Sequence, residues 1–151
     1  AGAGSEGNSL KSFTAAACSS QTAAEEGSRL LSAIDARMHE CYCAVFRYEN
    51  HEFKEVTAPA LCKPSELLAI ADDNGAKFLC GNAFRIYADE IGDPAPKKLL
   101  STDDVNAQMI VPLARKYFEE NKTVDAAEAS PLYVRDHVAL TIEERKAEKS
   151  R

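Results

Sequence analysis

Three apolar runs follow one another between residues 28 and 60, and the short breaks between them constrain the fold more than any other feature. The runs occupy residues 28–38, 40–50 and 52–60, with His39 at the first break and Asn50 and His51 at the second. Breaks this short join antiparallel strands, so the stretch predicts a meander of three strands. Asn50 tolerates the left-handed backbone of a tight turn better than His39 does.

The second run is apolar on both faces of a strand. Alternate residues share a face, which places Tyr42, Ala44, Phe46 and Tyr48 on one side and Cys41, Cys43 and Val45 on the other. This pattern is typical of a strand inside a sheet that is covered on both sides.

After residue 60 the pattern alternates between helix and strand. It predicts a helix over residues 64–72 that starts at Pro64 or Ser65, followed by a strand over 76–82. A second helix is predicted over 83–91, with Phe84, Tyr87 and Ile91 on one side. An extended stretch is predicted after "DPAP". A last helix is predicted from Asp103 to Asn121, capped by Ser101 or Thr102 and kinked at Pro112. This order predicts an α/β, ribonuclease-H-like or actin-like lobe, with a mixed sheet and helices on both faces.

A length of 151 residues predicts one domain, with a short extension at each end. We expect residues 1–7 to be a flexible lead-in or cloning remnant, residues 8–140 to form the lobe, and residues 141–151 to form a charged tail. Within the lobe, the pattern of residues 8–27 predicts a helix, and "PLYVRDHVAL" is expected to be extended. No apolar run is long enough to span a bilayer and no signal pattern is present, so a cytoplasmic location is expected.

The net charge of −6 argues against a protein that binds nucleic acid by itself, which usually needs a basic face. If RNA is involved, a partner is expected to hold it. The five cysteines show no C-x-x-C pair. Buried, reduced thiols are the favoured interpretation, and a soft metal held by Cys41 and Cys43 is the alternative.

Asp35, Arg37 and Glu40 lie around the first hairpin. They can neutralise one another and hold the turn, which we favour, or Asp35 can hold a metal-bound phosphate at the strand end. Gly81 and Asn82 lie between a strand and a helix, where backbone amides can receive an anion; a tight turn with Asn82 as the helix cap is the favoured alternative. No serine, cysteine, lysine or histidine has a setting typical of a nucleophile or base, which argues against an enzyme.

Two stretches, "AIDARMHECYCAVFRY" and "ASPLYVRDHVAL", resemble the TsaB (YeaZ) family, which is actin-like and related to the glycoproteases. The matches to its D-A-R-x-G-E/Q-V-Y pattern are Asp35, Ala36, Arg37, Glu40 and Tyr42, and those to its P-x-Y-L/V-R pattern are Pro131, Tyr133, Val134 and Arg135. The stretch "CGNAFRIY", with Gly81 and Asn82, resembles a third family segment, and "NSLKSFTAAA" resembles the helix that leads into the second lobe.

The resemblance implies a noncatalytic subunit of the machinery that makes threonylcarbamoyladenosine in tRNA. Such a subunit binds no cofactor of its own and supports a TsaD-like partner, together with a TsaE-like protein and a threonylcarbamoyl-AMP synthase; tRNA contacts it only through the complex, and it can form a homodimer. The signature residues are then structural.

Two departures from the family pattern are visible. His39 stands where the family has glycine, and neither the D-T-S strand nor the G-S-F-T-G segment of the family's first lobe is present. We therefore expect a carboxy-terminal fragment. The alternative, a metallopeptidase or nucleotide hydrolase, is suggested by the glycoprotease name and by Asp35, although no histidine pair at helical spacing exists. A self-associating domain without a ligand is the third possibility.

Overall fold

The computed structural model describes residues 25–101, 103–129 and 134. Its six strands are β1 (Arg29–Asp35), β2 (Cys41–Glu49), β3 (Glu52–Glu55), β4 (Ala60–Cys62), β5 (Phe78–Cys80) and β6 (Lys98–Ser101). Its helices are α1 (Leu67–Asp73), preceded by a 3-10 turn at Pro64–Glu66, then α2 (Ala83–Ile86), α3 (Ala88–Ile91) and α4 (Ala107–Glu119). The predicted helix over 8–27 lies outside the described residues except for residues 25–27, which form a turn, and the predicted extended segment over 131–140 lies outside them except for Val134.

The strands form one mixed sheet in the order β3-β2-β1-β5-β6, with β4 also paired to β2. The β1–β2, β2–β3 and β2–β4 pairs are antiparallel, whereas β1–β5 and β5–β6 are parallel. This is the predicted order, in which an antiparallel meander is followed by parallel strands that helices connect. The fold class inferred from the sequence is therefore confirmed.

The third predicted strand is interrupted, and the interruption has a local cause. The backbone amides of Val56 and Thr57 both donate to the Val45 carbonyl, so two residues of this segment lie opposite one residue of β2. The Thr57 hydroxyl oxygen meanwhile accepts a hydrogen bond from the Val45 amide at 2.9 Å. This irregularity separates β3 from β4 along the same edge of β2.

The core lies on both faces of the sheet, as the alternation in β2 predicts. On one face, Leu31, Val45 and Leu79 are buried against residues of the helices, including Leu67, Phe84 and Ile91. On the other face, Leu30 and Phe78 pack with Val105, and Ala44 and Phe46 pack with Phe53. The helices α1, α2 and α3 thus fix the first face, which is the face that bears the Asp35 side chain.

Two predicted helices differ in the structure. The helix over 83–91 is broken at Tyr87, whose φ of −113° and ψ of 28° leave the helical region. The last helix begins at Ala107 rather than Asp103, with Asn106 as its cap. Ser101 cannot cap it because Ser101 belongs to β6, where it pairs with Cys80. Pro112 lies inside α4 without ending it. Within the described residues, no helix is both long and apolar enough to cross a membrane.

Candidate functional site

The candidate site lies where the parallel strands β1 and β5 end side by side. Asp35 is the last residue of β1, and Gly81 and Asn82 directly follow β5. Open α/β sheets place ligand sites at the carboxyl ends of such strands. Two of the sequence motifs, far apart in the chain, are thereby brought together.

Gly81 makes the close approach of these two strands possible. Its φ is +109°, and a Cβ atom there would lie 2.0 Å from the Ala33 carbonyl oxygen. Its amide donates to the Ser101 carbonyl at 2.8 Å. Only glycine fits this position, because any side chain would collide with the backbone of β1.

Asn82 uses its side chain to connect three segments. Its Oδ1 accepts a hydrogen bond from the Asp35 amide at 2.8 Å, and its Nδ2 donates to Asp104 Oδ1 at 2.6 Å. Arg85 Nη2 holds the other oxygen of Asp104 at 3.0 Å. Asn82 occupies the cap position of α2, but its side chain makes no capping hydrogen bond. Asn82 therefore holds the predicted cap position, but its side chain does not cap the helix because β1 and Asp104 already engage it.

The Asp35 carboxylate is partly buried and hydrogen-bonded. Its side chain is 11% exposed, and its Oδ2 lies 3.8 Å from Arg37 Nη1. Its Oδ1 accepts hydrogen bonds from the Tyr87 hydroxyl at 2.7 Å and from the Arg37 amide at 2.9 Å. Burial by itself raises the pKa of Asp35, but these hydrogen bonds and the Arg37 charge outweigh it, so the pKa lies below its usual value. Asp35 is consequently a weaker base than an ordinary aspartate.

The turn between β1 and β2 consists of three consecutive residues with left-handed backbone. Arg37, Met38 and His39 have φ values of 64°, 53° and 64°. Such a run is rare outside glycine and needs support from its surroundings. His39 supplies part of that support, since its Nε2 contacts the Glu90 carboxylate and its ring meets the Tyr87 ring edge-on at 5.2 Å. The turn is thereby docked on α2 and α3.

The other signature residues are more dispersed. Glu40 closes the turn through its backbone, accepting from the Ala36 amide at 2.9 Å and donating to the Arg37 carbonyl at 3.1 Å. Tyr42 lies opposite Ile34 in the sheet and packs on the other face. Pro131, Tyr133 and Arg135 lie outside the described residues.

Sequence reasoning missed three members of the site. Tyr87 was predicted only to lie on the apolar side of a helix, Asp104 fell at the start of the last predicted helix, and Arg85 was not singled out. The Asp35 hydrogen bond raises the pKa of Tyr87 to about 12, with burial adding to the effect, so Tyr87 remains a hydrogen-bond donor at neutral pH. No local pattern in the sequence signals that these side chains meet.

The arrangement is suited to holding chain segments together. Within the described residues, no group of three or more His, Cys, Asp or Glu side chains is placed to hold a metal ion. Cys41 and Cys43, the alternative soft-metal ligands, are buried in β2, and burial chiefly raises the pKa of Cys41 to about 12. Each acidic group at the site contacts a basic side chain: Asp35 contacts Arg37, Asp104 contacts Arg85, and Glu90 contacts His39.

The sheet order and its pattern of parallel and antiparallel pairs define a ribonuclease-H-like, actin-like lobe. Solved structures share this fold. YeaZ from Pseudomonas aeruginosa matches 81% of this chain with a TM-score of 0.63 at 22% identity. A Pseudomonas aeruginosa protein described as uncharacterized and similar to peptidase YEAZ matches 82% with a TM-score of 0.60 at 23% identity.

The chain spans 56% of the length of each of these two proteins. No protein-family model and no curated protein matches the chain. The structural likeness establishes the fold, and YeaZ is the family whose motifs the sequence resembles.

Proposed function

We propose that this chain is the second lobe of a TsaB-like scaffold subunit that takes part in making threonylcarbamoyladenosine in tRNA. The observation that carries the proposal is the likeness to YeaZ over 81% of the chain. The signature residues occur in the family's order along the sequence, which supports the same assignment. The proposed partner is TsaD-like and carries the metal and the group transfer, with a TsaE-like protein in the same machinery.

The geometry at Asp35 supports a noncatalytic role. This acid is the strongest candidate for catalysis at the site, yet Tyr87 and Arg37 already occupy its carboxylate. Its pKa lies below the usual value, so it is a weaker base than an ordinary aspartate. In this proposal Asp35 holds the β1–β2 turn against α2 and α3, and a partner protein binds the resulting surface.

The experiment is depletion of the full-length protein followed by mass spectrometry of tRNA nucleosides. Loss of threonylcarbamoyladenosine is expected, and unchanged modification would refute the proposal. Re-expression of an Asp35→Asn variant gives the sharper comparison. A scaffold should restore modification in proportion to the amount of folded variant that copurifies with TsaD, whereas a catalytic Asp35 should bind TsaD normally and restore none.

A peptidase or nucleotide hydrolase remains the second candidate, because one similar structure is described by its likeness to a peptidase and because Asp35 lies at a strand end. The purified chain, supplied with divalent metal, should be assayed for cleavage of a glycoprotein and for hydrolysis of ATP. Activity that Asp35→Asn abolishes would favour this candidate over the scaffold.

A further inference from the structure

The helix α4 has two apolar faces, and only one of them is turned toward the sheet. The Lys116 side chain forms an ion pair with Glu52 of β3, so the face that bears Lys116 lies against the sheet. Met109 and Leu113 share that face and are partly buried. Within α4, which the structure describes in full, no residue is completely buried. The helix is therefore held on the sheet by one side and presents the other side to solvent.

The outer face of α4 is an apolar stripe of four residues at spacings of four, three and four: Ala107, Val111, Ala114 and Phe118. At 3.6 residues per turn they lie within about 60° of one another and almost opposite Lys116. All four are exposed, Val111 at 61% and Phe118 at 72%. Isolated exposed apolar residues are ordinary, but a continuous stripe at this spacing is the pattern by which two helices pack together.

We propose that this stripe packs against the same stripe of a second copy of the chain, with the two α4 helices antiparallel. The inference is independent of the function proposed above. It depends on the size of the residues in the stripe and on the charges at the two ends of the helix.

The order of large and small residues favours the antiparallel arrangement. In that arrangement Phe118 faces Ala107 of the second copy, and Val111 faces Ala114 of the second copy. Each large side chain then meets a small one, so the two helices keep an even spacing. A parallel pair would place Phe118 against Phe118 and Ala107 against Ala107, which would leave a gap at one end.

The charges at the ends of α4 favour the same arrangement. Asp103 and Asp104 lie just before the helix, whereas three basic and two acidic residues lie at its carboxyl end: Arg115, Lys116, Glu119, Glu120 and Lys122. An antiparallel pair places the acidic end of one copy beside the end of the other that has a net positive charge, and a parallel pair would bring the aspartates together. Asp104 and Lys122 remain exposed, although each also has an ion-pair partner in its own chain.

The length of α4 predicts a weak dimer. Its 13 residues span about 20 Å, and a contact along one such helix is at the low end of the size range for protein interfaces. The dimer should therefore dissociate on dilution.

The first test is analytical ultracentrifugation of the 151-residue chain from low micromolar to millimolar concentration. A monomer–dimer equilibrium is expected. Phe118→Glu should raise the dimer dissociation constant by about tenfold or more, because the interface contains this residue twice and each carboxylate would be buried. Ile86→Glu is the matched control, since Ile86 is also an exposed apolar residue of a helix but lies in α2. It should leave the constant unchanged, and circular dichroism checks that both variants keep the wild-type helix content.

A second test determines the orientation and leaves the stripe intact. Gln108 and Arg115 flank the stripe on one side, and an antiparallel pair places Gln108 of one copy beside Arg115 of the other. A mixture of Gln108→Cys chains and Arg115→Cys chains should form a disulfide between these two positions under mild oxidation, as identified by peptide mapping. Gln108→Cys alone should form no such link between its two copies.

The proposal is overturned if the chain is a monomer at every concentration, or if Phe118→Glu and Ile86→Glu change the dissociation constant equally. A monomer whose free energy of unfolding falls in Phe118→Glu would also overturn it, in favour of another segment of the same chain as the occupant of the stripe. A link between two copies of Gln108→Cys, without one in the mixture, would overturn the antiparallel arrangement.

Discussion

At the scale of single residues, the site depends on Asp35 and on the groups that reach it from other elements. The Tyr87 hydroxyl and the Arg37 amide both donate to its Oδ1, and the Asn82 side chain accepts from its backbone amide. A partly buried carboxylate is stabilised by such contacts, because a charge that loses water without gaining hydrogen bonds is unfavourable. The turn, the helices and the strand end therefore depend on one side chain.

Tyr87→Phe should lower the free energy of unfolding by about 1–2 kcal/mol at neutral pH, because it removes a hydrogen bond to a charged group. The pKa of Asp35 in the fold lies below the ordinary 3.8. The stabilisation is thus present above that value and is lost as the pH falls through the folded pKa. Urea unfolding at neutral and acid pH should show the difference between variant and wild type shrinking in acid.

Tyr42→Phe is the control for this substitution, since Tyr42 lies on the opposite face of the sheet. It should show no comparable dependence on pH. A Tyr87→Phe effect of equal size at both pH values would mean that the hydroxyl does not favour the charged form of Asp35.

Gly81→Ala should destabilise the fold by clearly more than about 1 kcal/mol, the cost of an unfavourable left-handed backbone alone. The added Cβ would lie 2.0 Å from the Ala33 carbonyl oxygen, so β1 and β5 would have to separate. Gly75→Ala is the matched control, because Gly75 also has a positive φ, of +62°, but nothing lies within 4 Å of its Cβ position. Thermal unfolding of both variants should show the larger loss at Gly81, and equal losses would contradict the close approach.

At the scale of elements, the sequence predicted what depends on periodicity and missed what depends on distant contacts. The alternation in residues 41–49 correctly predicted both buried faces of β2. The break at Tyr87 was not predicted, because it accompanies a hydrogen bond to Asp35, 52 residues away in sequence. The gap between β3 and β4 likewise accompanies the contact of Thr57 with Val45. Neither contact leaves a local pattern.

The start of α4 gives a test at this scale. The Asn106 side chain accepts a hydrogen bond from the Met109 amide at 3.2 Å. Asn106→Ala should therefore cost about 1 kcal/mol and reduce helix content in far-ultraviolet circular dichroism. Ser101→Ala, which removes one of the two caps that the sequence pattern predicted, should leave the helix content unchanged. The reverse result would place the cap at Ser101.

At the scale of the whole molecule, the sheet topology was predictable from the sequence, but only some of the residues that form the site were. The short breaks between the three apolar runs predicted the antiparallel meander. The later alternation of helix and strand predicted the parallel pairs. Asp35, Arg37, Gly81 and Asn82 were singled out from the sequence and do lie together. Tyr87, Arg85 and Asp104 were not assigned to the site, because α2, α3 and the segment before α4 bring them there only when the sheet is complete.

The same topology predicts how stability is distributed across the sheet. β1 has hydrogen-bonded neighbours on both sides, β2 and β5, and its central residues Leu31, Ser32 and Ala33 are fully buried. β4 is short and, among the described residues, pairs with β2 alone. Amide exchange reports local opening, so reduced protein should exchange slowest in β1 and markedly faster in β4. Mass spectrometry of exchange over time measures both strands in one experiment. Equal protection would mean that β4 opens only together with the whole sheet.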